Sequence, residues 1–132
     1  MPTDTQKGFS LIELMVVIAI IGILAAVTTS YFGDNVQNAR CTEGRSALLS
    51  AATSMEKCKA VYGVYNNANC NFADFLGNTP NGHFNLAQAS TATNFTLTAT
   101  GIGAAAGPAN TFCPTITLTN LGVQGGTGSS PW

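Results

Sequence analysis

Residues 8–27 read Gly-Phe-Ser-Leu-Ile-Glu-Leu-Met-Val-Val-Ile-Ala-Ile-Ile-Gly-Ile-Leu-Ala-Ala-Val, and this stretch decides the architecture of the chain. The apolar part, Phe9 to Val27, has 19 residues, and Glu13 is its one charged side chain. A helix of about 20 residues, at ~1.5 Å per residue, crosses the hydrocarbon core of a bilayer. The stretch therefore predicts a helix, residues 9–30, that spans a membrane.

The short polar segment before this helix, residues 1–8, predicts a leader peptide. A general secretory signal is cut after its apolar core, whereas here the small residue Gly8 lies before the apolar run. Cleavage at Gly8 would leave the hydrophobic segment on the product. Lys7 lies on the N-terminal side, so the positive-inside tendency keeps the leader in the cytoplasm and exports the chain after about Ser30.

The periodicity beyond the membrane segment predicts that the same helix continues to about Val61. Leu48, Ala52, Met55 and Tyr62 recur at three- and four-residue steps, with Cys58 or Lys59 filling the step between the last two. Such a helix would be roughly 80 Å long. A globule of 13.6 kDa cannot bury it. The helix must therefore be shared between a membrane or other subunits at one end and a small head, residues 31–132, at the other.

Three alternating runs after the helix predict a half-buried antiparallel sheet. They lie at His83–Gln88, Asn94–Thr100 and Thr115–Leu121, and apolar residues alternate with threonine in the last two. Gly63–Asn81 reads as a loop, and Gly122–Trp132 reads as an irregular tail. The fold class is thus α+β, with a long N-terminal helix packed at its C-terminal half on a small antiparallel sheet of three or more strands.

Glu13 is the residue in this pattern that most needs a function. An ionised carboxylate inside a membrane helix costs ~2.5 kcal/mol or more. Cleavage after Gly8 would create a new amine at Phe9, four residues before Glu13. We expect Glu13 to have a partner only when subunits assemble, when the amine of a neighbouring subunit reaches it inside an apolar core. Such pairing removes two costly charges and fixes axial register.

The motif Gly-Phe-Ser-Leu-Ile-Glu-Leu and the apolar run after it resemble the type IV pilin family of the type IVa kind. Thr42-Glu43-Gly44, residues 96–100 and residues 117–122 are most similar to small minor pilins. The resemblance implies that prepilin peptidase cleaves between Gly8 and Phe9, that Phe9 is N-methylated and that Glu13 sets filament register. One departure is Ser30, where many family members carry proline.

The resemblance also implies a life history and a set of partners. The precursor sits in the bacterial inner membrane as a single-pass protein with its head in the periplasm. It then passes through the assembly platform into an extracellular pilus, a homo- or hetero-oligomeric filament of pilin subunits. Adhesion, twitching motility or DNA uptake would be the function of that filament, with this chain as a major or minor pilin.

Two other function classes fit the same pattern. A pseudopilin of a type II secretion system would share the helix, but an acidic calcium loop near the C-terminus is frequent there, and no Asp, Glu, Lys or Arg occurs from Phe75 to Trp132. A pilus-tip adhesin would use the uncharged Thr/Asn surface. We expect no enzyme, no cofactor and no metal, because one histidine, His83, builds no catalytic or zinc set. No clear nucleic-acid site is expected either, because basic residues are few.

Four cysteines in an exported head predict disulfides rather than a metal site. Cys41 and Cys58, 17 residues apart in sequence, would lie about 25 Å apart on one continuous helix, too far to be joined. Two pairings remain. We hypothesise Cys58–Cys70 with Cys41–Cys113. The alternative, Cys58–Cys113 with Cys41–Cys70, requires the loop after Val61 to run nearly extended back down the helix.

Overall fold

The structure, a computed structural model, describes residues 8–70, 72–105 and 111–132, without the side chains of residues 29–31 and 104. Of the predicted leader only Gly8 lies within this range. Helix α1 spans Leu11–Tyr62, and five strands follow: β1 (Gly77–Asn78), β2 (Phe84–Ser90), β3 (Phe95–Gly101), β4 (Thr115–Thr119) and β5 (Gln124–Thr127), with a 3-10 turn at Gly103–Ala105. The predicted α+β class is confirmed.

The chain divides into two units, one through Asn35 and one from Val36 to Trp132. In the first unit every residue from Phe9 to Thr28 is exposed, and these residues form no core. The second unit, called the head below, contains the core. The predicted boundary at residues 30 and 31, between a membrane-spanning segment and a head, remains a prediction.

The head buries one stripe of α1 against the sheet. The buried positions recur at steps of three and four, as a helix face requires: Cys41, Gly44, Leu48, Ala51, Met55 and Cys58. Ala52 is only half-buried and Tyr62 is 45% exposed. The predicted stripe therefore coincides with the buried face at Leu48, Met55 and Cys58. Its remaining positions, Ala52 and Tyr62, lie beside that face.

The five strands form one antiparallel sheet in sequence order, each hydrogen-bonded to the next. Phe84, Leu86, Leu97 and Ile116 point to the helix and are buried. On the opposite face, threonines of β3 and β4 stand directly across from one another in three pairs: Thr96 and Thr119, Thr98 and Thr117, Thr100 and Thr115. This is the predicted alternation of an apolar inner face with a threonine outer face.

The sheet has two strands that the sequence pattern did not show. β1 lies in the segment interpreted as loop, and β5 lies in the segment interpreted as an irregular tail. β1 has two residues, too few for any periodicity. The sequence of β5 is Gln-Gly-Gly-Thr, in which no apolar side chain alternates. Both strands are defined by backbone pairing to β2 and β4 rather than by side-chain pattern.

A close approach at Gly44 sets the distance between helix and sheet. A Cβ atom at Gly44 would lie 3.0 Å from Cδ1 of Ile116 and 3.1 Å from Cδ2 of Phe84. Contacts this short are repulsive, so a larger residue would have to displace the sheet side chains. The helix ends at Tyr62, and Gly63 follows it with a φ of 78° that favours glycine and an N–H that donates to the Lys59 carbonyl over 2.8 Å.

Candidate functional site

The apolar half of α1 is the first candidate site. Its most hydrophobic 18-residue window has a mean hydropathy of 2.7, and 0% of that window is buried. Phe9 is 87% exposed and Leu11 77%. By length and composition this helix can cross a membrane. A surface of this kind is stable only when lipid or other protein chains cover it.

Ser10 and Glu13 form a capping box at the start of the helix. The Glu13 backbone N–H donates to the Ser10 hydroxyl over 3.2 Å, and the Ser10 N–H donates to Oε2 of Glu13 over 3.3 Å. This reciprocal pair satisfies two backbone donors that no helical carbonyl can reach. The positive end of the helix dipole also favours the carboxylate there.

The expected pairing of Glu13 with the amine of a neighbouring subunit remains a prediction, because the structure contains a single chain. The Glu13 carboxylate already accepts a hydrogen bond from Ser10 in the single chain. The capping role of Ser10 was not predicted from the sequence. It could have been, because Ser-Leu-Ile-Glu before an apolar run matches the Ser-x-x-Glu capping pattern. The hydrogen bond is solvent-exposed, so the carboxylate remains accessible to a second partner.

Gly8 and Phe9 lie immediately before the helix and both are exposed. Neither residue has helical or strand structure. A Cβ atom at Gly8 would have no atom within 4 Å, so the fold itself does not require glycine at this position.

Two disulfides join the head. Cys41 in α1 is bonded to Cys113 just before β4, with Cα atoms 5.9 Å apart. Cys58 in α1 is bonded to Cys70 in the following loop, with Cα atoms 5.8 Å apart. These are the pairs that helix geometry favoured. The Cys41–Cys113 bond joins the N-terminal part of the head helix to the segment before β4. The Cys58–Cys70 bond joins the C-terminal end of the helix to the loop that follows it.

Arg45 holds the C-terminal residues against the helix. Its Nη2 donates to the Ser130 carbonyl over 2.7 Å, and its Nε donates to the Pro131 carbonyl over 3.0 Å. The Trp132 indole N–H donates to the Gly125 carbonyl over 2.7 Å, and its ring packs on the core. The tail is therefore a fixed part of the head, in contrast to the irregular tail predicted from sequence.

Glu43 fixes the turn between β1 and β2 to the helix. Its Oε1 accepts from the Asn81 N–H over 3.2 Å, and its Oε2 lies 2.6 Å from Nδ1 of His83. Burial raises the pKa of Glu43, but hydrogen bonds from Thr79, His83 and Asn81 outweigh it and leave the pKa below its ordinary 4.5. His83, interpreted from sequence as an ordinary strand-edge residue, is thus half of a polar clamp.

The end of α1 carries a second polar cluster around Tyr65. The Tyr65 hydroxyl donates to Oε1 of Glu56 over 2.8 Å, and Nζ of Lys59 lies 4.3 Å from the ring centroid. The ring meets Phe95 edge-on at 4.9 Å between centroids. Burial raises the pKa of the Tyr65 phenol, and Glu56 adds to this. Among the described residues, no group of three or more His, Cys, Asp or Glu is placed to hold a metal ion.

Family comparisons match both halves of the chain. A model described as "Prokaryotic N-terminal methylation motif" matches residues 4–29. A model described as "Type IV minor pilin ComP, DNA uptake sequence receptor" matches residues 30–117, two thirds of the sequence. The chain belongs to the type IV pilin family. Type IV pilins are structural proteins rather than enzymes, in agreement with the prediction.

Curated relatives resemble this pilin over part of its length. It is 46% identical over 59 residues to the fimbrial protein EcpB of Eikenella corrodens, covering 45% of this chain and 37% of that protein. It is 43% identical over 53 residues to the type IV major alpha-pilin of Moraxella bovis, covering 40% and 33%. The matched part thus spans about a third of the length of these relatives.

A solved structure matches the fold. A type IV pilin from Shewanella oneidensis aligns with a TM-score of 0.51 and 22% identity, over 67% of this chain and 89% of that one. At this identity the likeness shows the fold alone. The long helix packed on a five-stranded antiparallel sheet is therefore a type IV pilin architecture.

Proposed function

We propose that this pilin is a subunit of a type IV pilus. The precursor is inserted in the bacterial inner membrane, prepilin peptidase cuts between Gly8 and Phe9 and methylates the new Phe9 amine, and the assembly platform adds the subunit to the filament. The observation that carries this proposal is the uncovered apolar helix. Its exposed side chains include Phe9, Ile12 and Leu14, and the one carboxylate among them is Glu13 in the first turn.

Glu13 would have two successive roles in this proposal. In the single chain it caps the helix through Ser10. In the filament it would pair with the Phe9 ammonium of a neighbouring subunit, because an ammonium is a stronger partner for a carboxylate than a backbone N–H. In an apolar surrounding, either charge left alone is costly. The pair would therefore select the axial offset at which both charges are satisfied.

A filament-shearing assay tests this proposal and separates the two roles of Glu13. Glu13→Ala should insert and be cleaved normally, because it removes a charge from the membrane segment. It should enter sheared filaments at least about tenfold less than the wild type, the change that about 1.4 kcal/mol produces. Quantitative mass spectrometry of the sheared fraction, relative to the membrane pool, gives the ratio.

Ser10→Ala is the matched control. It removes the capping hydroxyl but leaves the carboxylate, at a typical cost of about 1 kcal/mol in helix stability. We expect Ser10→Ala to enter filaments near the wild-type level. Equal losses of filament incorporation in Ser10→Ala and Glu13→Ala would mean that Glu13 acts only as a helix cap. Absence of the wild-type protein from sheared filaments would reject the pilus proposal as a whole.

DNA uptake is a second candidate function, favoured by the family match over residues 30–117. DNA affinity rests largely on Lys and Arg contacts to phosphates. The head has four basic side chains. Arg40 is half-buried near its start, and Arg45 binds the tail carbonyls. Lys57 and Lys59 are two residues apart at the helix end, near the 45% exposed Tyr62. Because these two lysines are neighbours, we place the DNA contact at that end of the head.

The salt dependence of binding tests this DNA contact. With two phosphate contacts, the slope of log affinity against log salt should be about −2. Lys57→Ala with Lys59→Ala should bring the slope close to zero, whereas the neutral exchange Ser54→Ala should leave it unchanged. Wild-type binding that is absent at 50 mM salt, or insensitive to the lysine changes, would remove DNA contact from the function of this subunit.

A further inference from the structure

A cleft of about 420 Å³ lies in the head between α1 and the segment that leads into β1 and the β1–β2 turn. Glu43, Ser46 and Ser50 form the helix wall, residues 74–81 form the opposite wall, and Leu86 lies beneath. Pockets of ~300–1,000 Å³ hold small molecules. The assembly role proposed above gives this cleft no function.

The serines of the helix wall present acceptors to the cleft. The Ser46 hydroxyl donates to the Glu43 carbonyl over 2.9 Å, and the Ser50 hydroxyl donates to the Ser46 carbonyl over 3.0 Å. A hydroxyl has one proton and two lone pairs. With both protons used inside the helix, the serine oxygens can only accept hydrogen bonds from a ligand.

A carboxylate on each wall makes the cleft acidic. The Glu43 side chain is 13% exposed, and its two oxygens already accept from Asn81 and lie against His83. Asp74 lines the opposite wall and is exposed, so it is the carboxylate open to a ligand. The residues that line the cleft include no lysine or arginine. The cleft thus combines negative charge with acceptors, and its complement is a cation that is rich in donors.

The shape of the acceptor set selects the kind of cation. A guanidinium is a planar fork that suits one carboxylate, whereas the three protons of an ammonium diverge and suit acceptors on two walls. Ala47, Phe75 and Leu86 supply carbon surface in the same cleft. We propose that the cleft binds a primary ammonium group carried on a short aliphatic or sugar skeleton, with the ammonium on the acceptor walls and the skeleton on this carbon surface.

Titration of the mature full chain in detergent micelles tests the proposal by amide chemical shifts. Cadaverine stands in for a lysine side chain and glucosamine for an amino sugar. 1-Pentanol and N-acetylglucosamine are uncharged counterparts of similar skeleton. We expect saturable shifts at Ser46, Ser50 and residues 74–81 with at least one amine and not with its uncharged counterpart. The tighter amine identifies the source of the ammonium.

Asp74→Asn is the decisive variant, because Asp74 is exposed and its loss should spare the fold. It should weaken amine binding about tenfold, equivalent to about 1.4 kcal/mol. Asp34→Asn, which removes one exposed carboxylate outside the head, should leave the affinity unchanged. No saturable shift with either amine, equal shifts with the uncharged counterparts, or equal affinities of the two variants would overturn the proposal. None of these outcomes depends on whether the chain enters a pilus.

Discussion

The two units of this pilin share helix α1 but differ in how its apolar side chains are covered. Through Asn35 the helix exposes its large apolar side chains and has one cap, Ser10 with Glu13, at its start. From Val36 onward it buries a narrow stripe, carries two disulfides and holds both the β1–β2 turn and the tail. The head covers its apolar stripe with its own sheet, whereas the exposed apolar side chains of the first unit need to be covered by other molecules.

This difference teaches where the effect of a substitution should be measured. A change in the head alters contacts within one chain, so its effect is a change in the free energy of unfolding. A change near Gly8 or Glu13 alters no contact of the core, so its effect falls on cleavage, insertion or assembly.

The largest effect is expected at Gly8, in the unit without a core. Gly8→Val should leave an uncut, unassembled precursor, because a β-branched residue would obstruct the chain in a protease cleft, although the fold has room for it. Mass spectrometry of the N-terminus measures this, and the wild-type product should start at Phe9. Gly22→Val is the matched control and should be cut normally. A mature wild-type chain starting elsewhere would refute the cleavage site.

Loss of a disulfide should give the next largest effect, this time in the head. Cys41→Ala with Cys113→Ala opens a loop with a sequence separation of 72, and Cys58→Ala with Cys70→Ala opens one of 12. The chain-entropy model gives about 4 and about 3 kcal/mol for these losses. Urea unfolding of the full chain in detergent should rank the two pairs in that order. Non-reducing peptide mapping checks the pairing itself, which a Cys41–Cys70 peptide would overturn.

Gly44→Ala should destabilise the head by about 1 kcal/mol. Alanine gains up to about 1 kcal/mol of helix propensity over glycine, but overpacking against Ile116 and Phe84 costs about 1–3 kcal/mol. The urea midpoint measures the balance. Gly33→Ala is the counterpart in the other unit, where a Cβ meets no atom within 4 Å. The urea midpoint for unfolding of the head should not fall in Gly33→Ala. A fall as large as that of Gly44→Ala would show that the stabilities of the two units are coupled.

The smallest effect is the pH dependence due to Glu43. Its pKa is lower in the folded head than its ordinary 4.5, so its stabilisation is present above about pH 4.5 and is lost as the pH falls through the folded pKa. We expect Glu43→Gln to destabilise the head by less than about 1 kcal/mol at pH 7, in the range of partly solvated ion pairs. The difference should shrink at pH 3. A constant difference at both pH values would mean that charge plays no part.

The sequence predicted those features that many residues encode together. The 19-residue, mostly apolar stretch Phe9–Val27 predicted the apolar helix, and the threonine alternation of β3 and β4 predicted the sheet and its inner face. The length of a continuous helix between Cys41 and Cys58 excluded one cysteine pairing, and the reach of the loop after Val61 favoured one of the two that remained. The boundary of the apolar stripe was less well predicted, because alanine positions such as Ala51 and Ala52 give little contrast in hydrophobicity.

The features that were not predicted depend on single residues and on distant backbone. β5 is a strand because its backbone pairs with β4, and the Gly125–Gly126 sequence gives no sign of it. Arg45 meets the carbonyls of Ser130 and Pro131, 85 and 86 residues away, and a carbonyl has no sequence signature. The Glu43–His83 contact was not predicted because it joins residues that are 40 positions apart in sequence. The Ser10–Glu13 capping box was within reach, because its pattern is local.

The contact between Arg45 and the tail constrains when the head can finish folding. Arg45 lies in the first part of the head, and the carbonyls that it binds belong to Ser130 and Pro131, next to the last residue of the chain. A head that forms from its N-terminal side onward cannot make this contact until residues 130 and 131 are present. Cys58 and Cys70, in contrast, have a sequence separation of 12 and can pair before the sheet is complete. The head can therefore form in an order, with the helix-end disulfide early and the contact between Arg45 and the tail late.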